Sequence, residues 1–306
     1  MTAEGRAERV VALAFDYGAQ PKSRVERCNL CGSTVFIELA HRDRYGYPAC
    51  AAACSSCGLV FLDPVMTWEA YARFYAEMYR PLVSAYHGRT IDASSIQQEQ
   101  REYAAERGDL IAPYLTGRGY RTLLDIGGST GVVAHVLARR FDLSATVVDP
   151  APLETAQAQT LGIETIEGLI EAVDLSDRRF DVVLLCQTVD HLLDIGGTLR
   201  RVRELLASTG LLFVDIVDFR AAYLRKWSIE EAVKVDHPYY LTEPTMMAYL
   251  RQAGFEVVRT AFAADHLHVS YVAQPTTPAS ALPSADGVCA LWREIRLVQN
   301  TRRAEL

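Results

Sequence analysis

Nowhere in this chain do about 20 apolar residues run together, the length a helix needs to cross a bilayer, so no membrane association is expected. The first twenty residues place acids ahead of a six-residue apolar stretch and lack a cleavage-site pattern. No signal peptide is read from them, and a cytoplasmic location is the default expectation. An excess of positive charge is missing too. Asp and Glu number 38 against 31 Lys and Arg, for a formal net charge of −7. That balance argues against a protein that grips nucleic acid through its phosphates. Low complexity is confined to a short Pro/Ser/Thr/Ala-rich linker from Pro275 to Ser284. With 50% hydrophobic and 23% charged residues over 306 positions, the disordered and fibrous classes are excluded, and the length suits about two domains.

Cysteine is where the chain is unexpectedly rich. There are seven, although disulfides are rare in the cytoplasm. Four of them, Cys28, Cys31, Cys54 and Cys57, form a C-x2-C-x22-C-x2-C layout, and each pair is followed by glycine, Gly32 or Gly58. A C-x2-C-G turn points both sulfurs at one place, with glycine supplying the unusual backbone. Two such turns make a closed, structural four-thiolate zinc site, which is favoured over two disulfides or coincidence. Cys50 competes as a ligand but lacks the following glycine, and Cys186 and Cys289 read as ordinary core or helix cysteines. Short β-rich runs at 34–39 and 59–62 complete a zinc-ribbon-type module at 28–66, after an N-terminal extension at 1–27. A module this small draws its folding free energy from the metal. A helix is then predicted from Thr67, as N-cap, through about Tyr79. Trp68, Tyr71, Tyr75 and Tyr79 fall near one face of it, chiefly as packing. The sharper reading has Tyr75, Tyr79 or Tyr86 reach the active site.

A helical connector at 67–117 leads into strands alternating with helices over 118–275. Strands are expected at 122–126, 144–148, 164–166, 180–185 and 210–217, with helices at 94–114, 132–140, 153–161 and 198–206. Such alternation implies an α/β fold, a Rossmann-like and mostly parallel sheet with ligands at the carboxyl ends of its strands. The first strand runs into Gly127, Gly128, Ser129, Thr130 and Gly131 and then a helix, which is an arrangement for close ligand approach. Asp149 ends the next strand, where an acid accepts ribose hydroxyls. The glycine spacing does not match G-x-G-x-x-G.

The ordered set of segments resembles the class I S-adenosylmethionine-dependent methyltransferases. Leu124 to Gly131 looks like the family's D-x-G-x-G-x-G motif, with Ser129 where the middle glycine is usual. Asp149 matches its second-strand acid, 180–186 its fourth strand, 190–194 its E-H-L-x-D element, and 205–213 the approach to strand five. The resemblance implies a seven-stranded sheet and S-adenosylmethionine as cofactor. Asp125, Gly127, Gly128, Ser129 and Gly131 would meet its methionine part, Asp149 its ribose, and Leu169 and Ile170 its adenine. Cys186, Gln187 and Tyr79 complete the expected donor site. The whole chain is similar to a narrower bacterial group with an N-terminal four-cysteine zinc domain. Some of these methylate carbon on nucleotide-linked keto-sugars and carry a further C-terminal domain, for which this chain is too short. Others act on polysaccharide or natural-product building blocks.

Methyl transfer to a hydroxyl or carbon needs a general base, and histidine suits neutral pH. His191 follows strand four at the donor edge. His237 stands in the segment VDHPYYLT, which resembles the E-H-x-S-Y segment of the sugar C-methyltransferases. There Asp236 and Tyr240 take the positions of the acid and the tyrosine. The insertion at 219–234 before it is read as a lid or acceptor wall. His266 and His268 are second-tier candidates, placed on one strand face. A final helix at about 287–302, in a C-terminal segment at 276–306, has an apolar face that docks on its own domain or supports oligomerisation. The favoured reading is methylation of a small polar acceptor, a sugar, nucleotide-sugar or natural-product intermediate. The alternatives are an RNA or protein methyltransferase whose zinc module reads a macromolecule, and a non-catalytic zinc and nucleoside-binding module. For the macromolecular alternative, the basic tracts around Arg42 and Arg44 and at Arg200, Arg201 and Arg203 are the candidates.

Overall fold

The computed structural model of the protein describes residues 3–305. Met1, Thr2 and Leu306, the outermost positions of the expected extension and C-terminal segment, lie outside the described residues. The N-terminal part contains α1 (Ala3–Val11), β1 (Lys22–Ser23), β2 (Phe36–Ala40), β3 (Ala51–Cys54), β4 (Val60–Leu62) and β5 (Val65–Met66). One helical run follows, made of α2 (Trp68–Arg73), a π turn (Phe74–Met78) and α3 (Tyr79–His87). Thr67 caps it as expected, accepting from the Ala70 N–H at 3.4 Å. The run does not stop near Tyr79 but continues to Gly88, whose φ of 65° ends it. Pro81 would break an ordinary ladder; here the π turn just before it shifts the bonding, and the helix carries on.

After α4 (Gln97–Leu115) come β6 (Thr122–Ile126), α5 (Val132–Phe141), β7 (Ser144–Asp149), α6 (Pro152–Thr160), β8 (Glu164–Glu167) and β9 (Phe180–Cys186). The remainder is α7 (Ile195–Leu205), β10 (Leu206–Val217), α8 (Phe219–Lys226), β11 (Tyr239–Tyr240), α9 (Glu243–Gln252), β12 (Phe255–Phe262), β13 (His268–Pro275) and α10 (Ala285–Glu305). Seven strands form one sheet in the order β12-β13-β10-β9-β6-β7-β8. The run from β10 to β8 is parallel, and β13 is antiparallel to both its neighbours. The near-continuous burial along β6, β7 and β9 follows from helices covering both faces. Ala104, Ile111 and Leu137 pack on one face; Leu199, Val202 and Tyr249 pack on the other.

The cysteine module does not stand apart. Cys28, Leu30, Cys57, Leu59 and Phe61 share one core with Ile195, Leu199 and Tyr249. Asn29, inside the first cysteine turn, donates to Asp194 Oδ1 (2.8 Å), the N-cap of α7, and its own Oδ1 accepts from the Gly196 N–H and the Tyr249 hydroxyl. Most consequential for the site, β11 pairs with β4, so the chain around His237 forms the fourth strand of the module's sheet, in the order β11-β4-β3-β2.

Packing bears on three of the expectations, and corrects the last of them. In the 219–234 insertion, read as a lid or acceptor wall, Phe219, Tyr223 and Val233 are buried in a second core with Tyr71 and Phe74. Helix α10 buries Ile295 and Val298 in that same core, and Gln299 donates to the Leu39 carbonyl at 2.9 Å. The apolar face of this helix thus docks within the chain, one of the two expectations for it. His266, with φ of 56°, turns the chain ahead of β13 and does not share a strand face with His268, which pairs with Asp265 at 2.6 Å.

Candidate active site

A cavity of about 400 Å³ opens at the carboxyl ends of β6, β7 and β9. Tyr79, Asp125, Gly127, Gly128, Ser129, Asp149, Leu169, Ile170, Cys186 and Gln187 all line it. Of the expected donor contacts only Gly131 is absent. With φ of 72° it starts α5, and a Cβ there would sit 2.7 Å from Ala158, so that glycine serves helix packing. Gly127 is needed for close approach instead: a Cβ would lie 2.5 Å from the Thr188 side chain.

The two acids of the cavity differ. Asp149 is held by the backbone N–H groups of Ser129 and Ala151, each at 2.9 Å. Burial raises it to about 6 against those bonds. Asp125 is 1% exposed, and neither carboxylate oxygen has a partner. Burial, with Asp149 nearby, pushes it up to about 8. A buried orphan carboxylate is costly and fits a ligand that brings a cation.

Ser129 explains its own departure from glycine. Its hydroxyl donates to Glu154 Oε2 (2.5 Å) and accepts from Arg80 (3.2 Å), whose Nε meets Glu154 Oε1 at 2.6 Å. This clamp joins α3 to α6 across the cavity. Arg80 and Glu154 were not singled out in the sequence; the only signals were adjacency to Tyr79 and a place in the helix after Asp149. Arg201, from one of the basic tracts, holds the carbonyls of Ile170 and Val173 and so fixes the wall beyond Gly168.

At the other end the cavity meets Tyr75 and His191. The Tyr75 hydroxyl donates to the Asp236 carbonyl at 2.8 Å. His191 Nδ1 lies 3.0 Å from that carbonyl and 2.8 Å from the Tyr75 hydroxyl. With the Tyr75 hydrogen given to that carbonyl, we assign the proton of neutral His191 to Nδ1, which leaves the Nε2 lone pair without a partner among the described residues. Burial, together with His237, lowers His191 to about 4 and keeps it neutral.

His237 stands behind, its ring centroid 4.3 Å from that of His191. Its Nδ1 is 2.7 Å from Asp190 Oδ2 and its Nε2 is 3.3 Å from Asp236 Oδ2. Burial would lower His237, but the two carboxylates outweigh it and raise it. Burial works the other way on Asp190 and Asp236, yet His237 and Lys234 hold both well below the usual carboxylate range. With both nitrogens committed to carboxylates, His237 has no free lone pair. Tyr240 has none of its hydroxyl free either: it accepts from the Lys234 N–H (2.9 Å) and donates to the Lys234 carbonyl (2.6 Å). Of the tyrosine stripe, Tyr75 and Tyr79 line the cavity, Tyr71 is buried packing, Trp68 is exposed, and Tyr86 lies outside.

The four sulfurs of Cys28, Cys31, Cys54 and Cys57 lie within 4.8 Å of one another, and Cys50 is not among them. No disulfide joins them. Gly32 and Gly58, with φ of 74° and 75°, return their N–H groups to the carbonyls of Cys28 and Cys54. Cys289 is exposed on α10.

This sheet order and strand-edge cavity define a Rossmann-like nucleoside-binding enzyme of the methyltransferase class. A methyltransferase-domain family model matches residues 96–260, over half the chain. The chain belongs to that family, with the fold of the class I S-adenosylmethionine-dependent methyltransferases. It is similar to the ubiquinone biosynthesis O-methyltransferase of Azorhizobium caulinodans, 28% identical over 44% of this chain and 58% of that one. The protein of the same description in Cereibacter sphaeroides is 31% identical over 64% of this chain and 84% of its own length. Among solved structures, the 1,6-didemethyltoxoflavin N1-methyltransferase of Burkholderia thailandensis, determined with its acceptor and S-adenosylhomocysteine, shares the fold. Its TM-score is 0.50 at 21% identity, over 74% of this chain and 96% of the other. No helix among the described residues is long and apolar enough to cross a membrane.

Proposed function

We propose that the protein methylates a small polar acceptor, a sugar or natural-product intermediate, placed between the donor cavity and His191. The donor, when bound, supplies an activated sulfonium methyl group. Asp125 would meet its ammonium, Asp149 its ribose hydroxyls, and Leu169 and Ile170 its adenine. The orphaned carboxylate of Asp125 and the doubly anchored one of Asp149 fit those groups. The chain's remaining work is positioning, water exclusion and proton removal.

The single observation that carries the reading is the unpartnered Nε2 of neutral His191 at the cavity wall. It takes the acceptor's proton, while Nδ1 stays bonded to the Asp236 carbonyl. His237, as an imidazolium between Asp190 and Asp236, holds that carbonyl segment and, with burial, keeps His191 neutral. The catalytic role expected of His237 thus becomes a positioning role, and the direct role passes to His191. Tyr240 and the Asp236 carboxylate likewise position. We further assign one structural zinc ion to the four cysteines, whose module anchors β11 and with it His237. The test is S-adenosylhomocysteine binding by calorimetry, joined to a methylation assay over a panel of sugars, phenols and small metabolites. Donor-product binding without methylation of any small acceptor would overturn the reading.

A further inference from the structure

Cys50 has no place in the four-sulfur cluster, yet it has partners of its own. Its sulfur, a carboxylate oxygen of Glu38 and a ring nitrogen of His41 lie within 4.8 Å of one another. The three residues come from the two ends of one connection. Glu38 is in β2, His41 follows that strand directly, and Cys50 directly precedes β3. The hairpin fixes these ends, with Glu38 opposite Ala52 and Ala40 opposite Ala51. In a regular strand, positions 38 and 41 would face opposite ways. The β2–β3 register shifts between Glu38 and Ala40, and such a shift re-aims side chains. His41 Nε2 thereby reaches 3.2 Å from Glu38 Oε1.

One sulfur, one imidazole nitrogen and one carboxylate oxygen form a donor set for a first-row transition ion of the zinc type. Calcium and magnesium, which take oxygen ligands, do not suit it. Three protein ligands leave the fourth tetrahedral position to water. Glu38 and His41 are exposed and Cys50 is half-buried, so an ion reaches the set from solvent. Burial raises the Cys50 thiol; Glu38 and Asp63 add to that, and Arg24 opposes it. Arg24 is itself held by Asp63 Oδ2 at 3.3 Å. A divalent cation would take the place of the thiol proton and offset the two acids.

The connection between His41 and Cys50 braces the reacting end of the molecule. Asp43 accepts the N–H groups of Tyr45 and Tyr47 within it, and the Val235 N–H at 3.0 Å, two residues before His237. The Arg44 N–H donates to the Val233 carbonyl at 3.0 Å. We propose that Glu38, His41 and Cys50 bind a second divalent transition ion, distinct from the four-cysteine site, and that this ion closes the 41–50 loop at its base. Three ligands on an exposed face hold an ion more weakly than four converging thiolates, so the desalted protein should keep one zinc and take up the second ion on titration.

Cobalt(II) titration of the full-length, desalted protein tests this. One further ion per chain is expected to bind, with a thiolate-to-cobalt charge-transfer band. Cys50→Ser should abolish that band. Cys50→Ser and His41→Gln should each weaken the second ion by about tenfold or more, and Glu38→Gln by less. All three variants should keep the zinc already present and bind S-adenosylhomocysteine within about twofold of the wild type. Should Cys50→Ser fail to fold, His41→Gln and Glu38→Gln decide. In the wild type, cobalt should also slow hydrogen exchange over residues 42–49. No second ion in the wild type overturns the site. So does equal cobalt affinity in the variants, which is what displacement of the first zinc would give. Exchange over 42–49 that ignores the bound ion overturns the loop-closing role.

Discussion

The Tyr75 hydroxyl stands 2.8 Å from His191 Nδ1, and it donates at the same distance to the Asp236 carbonyl. One tyrosine in a π turn thus joins the α2–α3 helical run, the turn after β9 and the His237 segment. The helix departs from regular geometry at Phe74–Met78, the turn that carries Tyr75, and π turns are frequent at functional sites.

His191→Ala should lose about 10²- to 10⁴-fold in turnover, the usual range for a general base, while S-adenosylhomocysteine affinity stays within about twofold. Tyr75→Phe keeps the ring but removes the bridge, and a smaller loss, of roughly tenfold, is expected. Steady-state kinetics beside calorimetry separates the two. Full activity in His191→Ala would remove that residue from the mechanism.

The pH profile carries its own signature. Burial and His237 push His191 down to about 4. A base must be unprotonated, so activity should rise through about pH 4 and be level from about 5 to 8. Removing the neighbouring positive charge with His237→Ala takes away its part of that depression, burial remaining, and leaves Asp190 and Asp236 to raise His191. The acidic limb should therefore move to higher pH. A limb that stays put in this variant would count against His191 as the titrating base.

Donor binding should release protons. Asp125 is pushed up to about 8 by burial and Asp149, and it ionises on meeting a cation. Below about pH 8 the affinity for S-adenosylmethionine should therefore increase with pH, by at most about tenfold per unit for this group. Calorimetry at pH 7 in buffers of different ionisation enthalpy should show a fraction of a proton released, and Asp125→Asn should abolish it. Asp149→Ala should weaken binding about tenfold or more by removing the ribose contact.

Metal content should be one zinc per chain, read by elemental analysis. Cys54→Ser, at the end of β3, should lower it and loosen the β4–β11 pairing. Hydrogen exchange at 235–240 should then speed up, and turnover should fall further than donor affinity. Equal losses of both would argue against the module's role in holding the His237 segment.

Ile295, 1% exposed, sits on the buried face of α10 in the core shared with Tyr71. Ile295→Ala should cost about 2–5 kcal/mol of unfolding free energy, visible as a lower thermal midpoint. A surface change of about 0.5 kcal/mol or less would mean the helix is not docked there.

Much of this was legible in one dimension because the physics is local. Burial on both faces makes the sheet strands read as unbroken apolar runs, and a glycine-rich turn after the first of them announces close ligand approach. Asp125, Asp149 and the four cysteines stood out by residue type and spacing. The histidines could be nominated but not ranked. His191 and His237 have similar chemistry in the sequence, and only their partners differ. The Arg80–Glu154 clamp was invisible, since its members are ordinary helix residues whose meeting depends on how two distant helices cross.

What the sequence determined by itself is the repertoire: an α/β sheet, a donor site at its strand ends, a four-thiolate module and a pair of histidines. The tertiary structure decided which groups are free. It paired β11 with β4, placed carboxylates on both nitrogens of His237, and left the Nε2 lone pair of His191 without a partner among the described residues. Hydrogen-bonding capacity belongs to the residue and is written in the chain. Whether that capacity is spent or available depends on neighbours that only folding brings within about 3 Å.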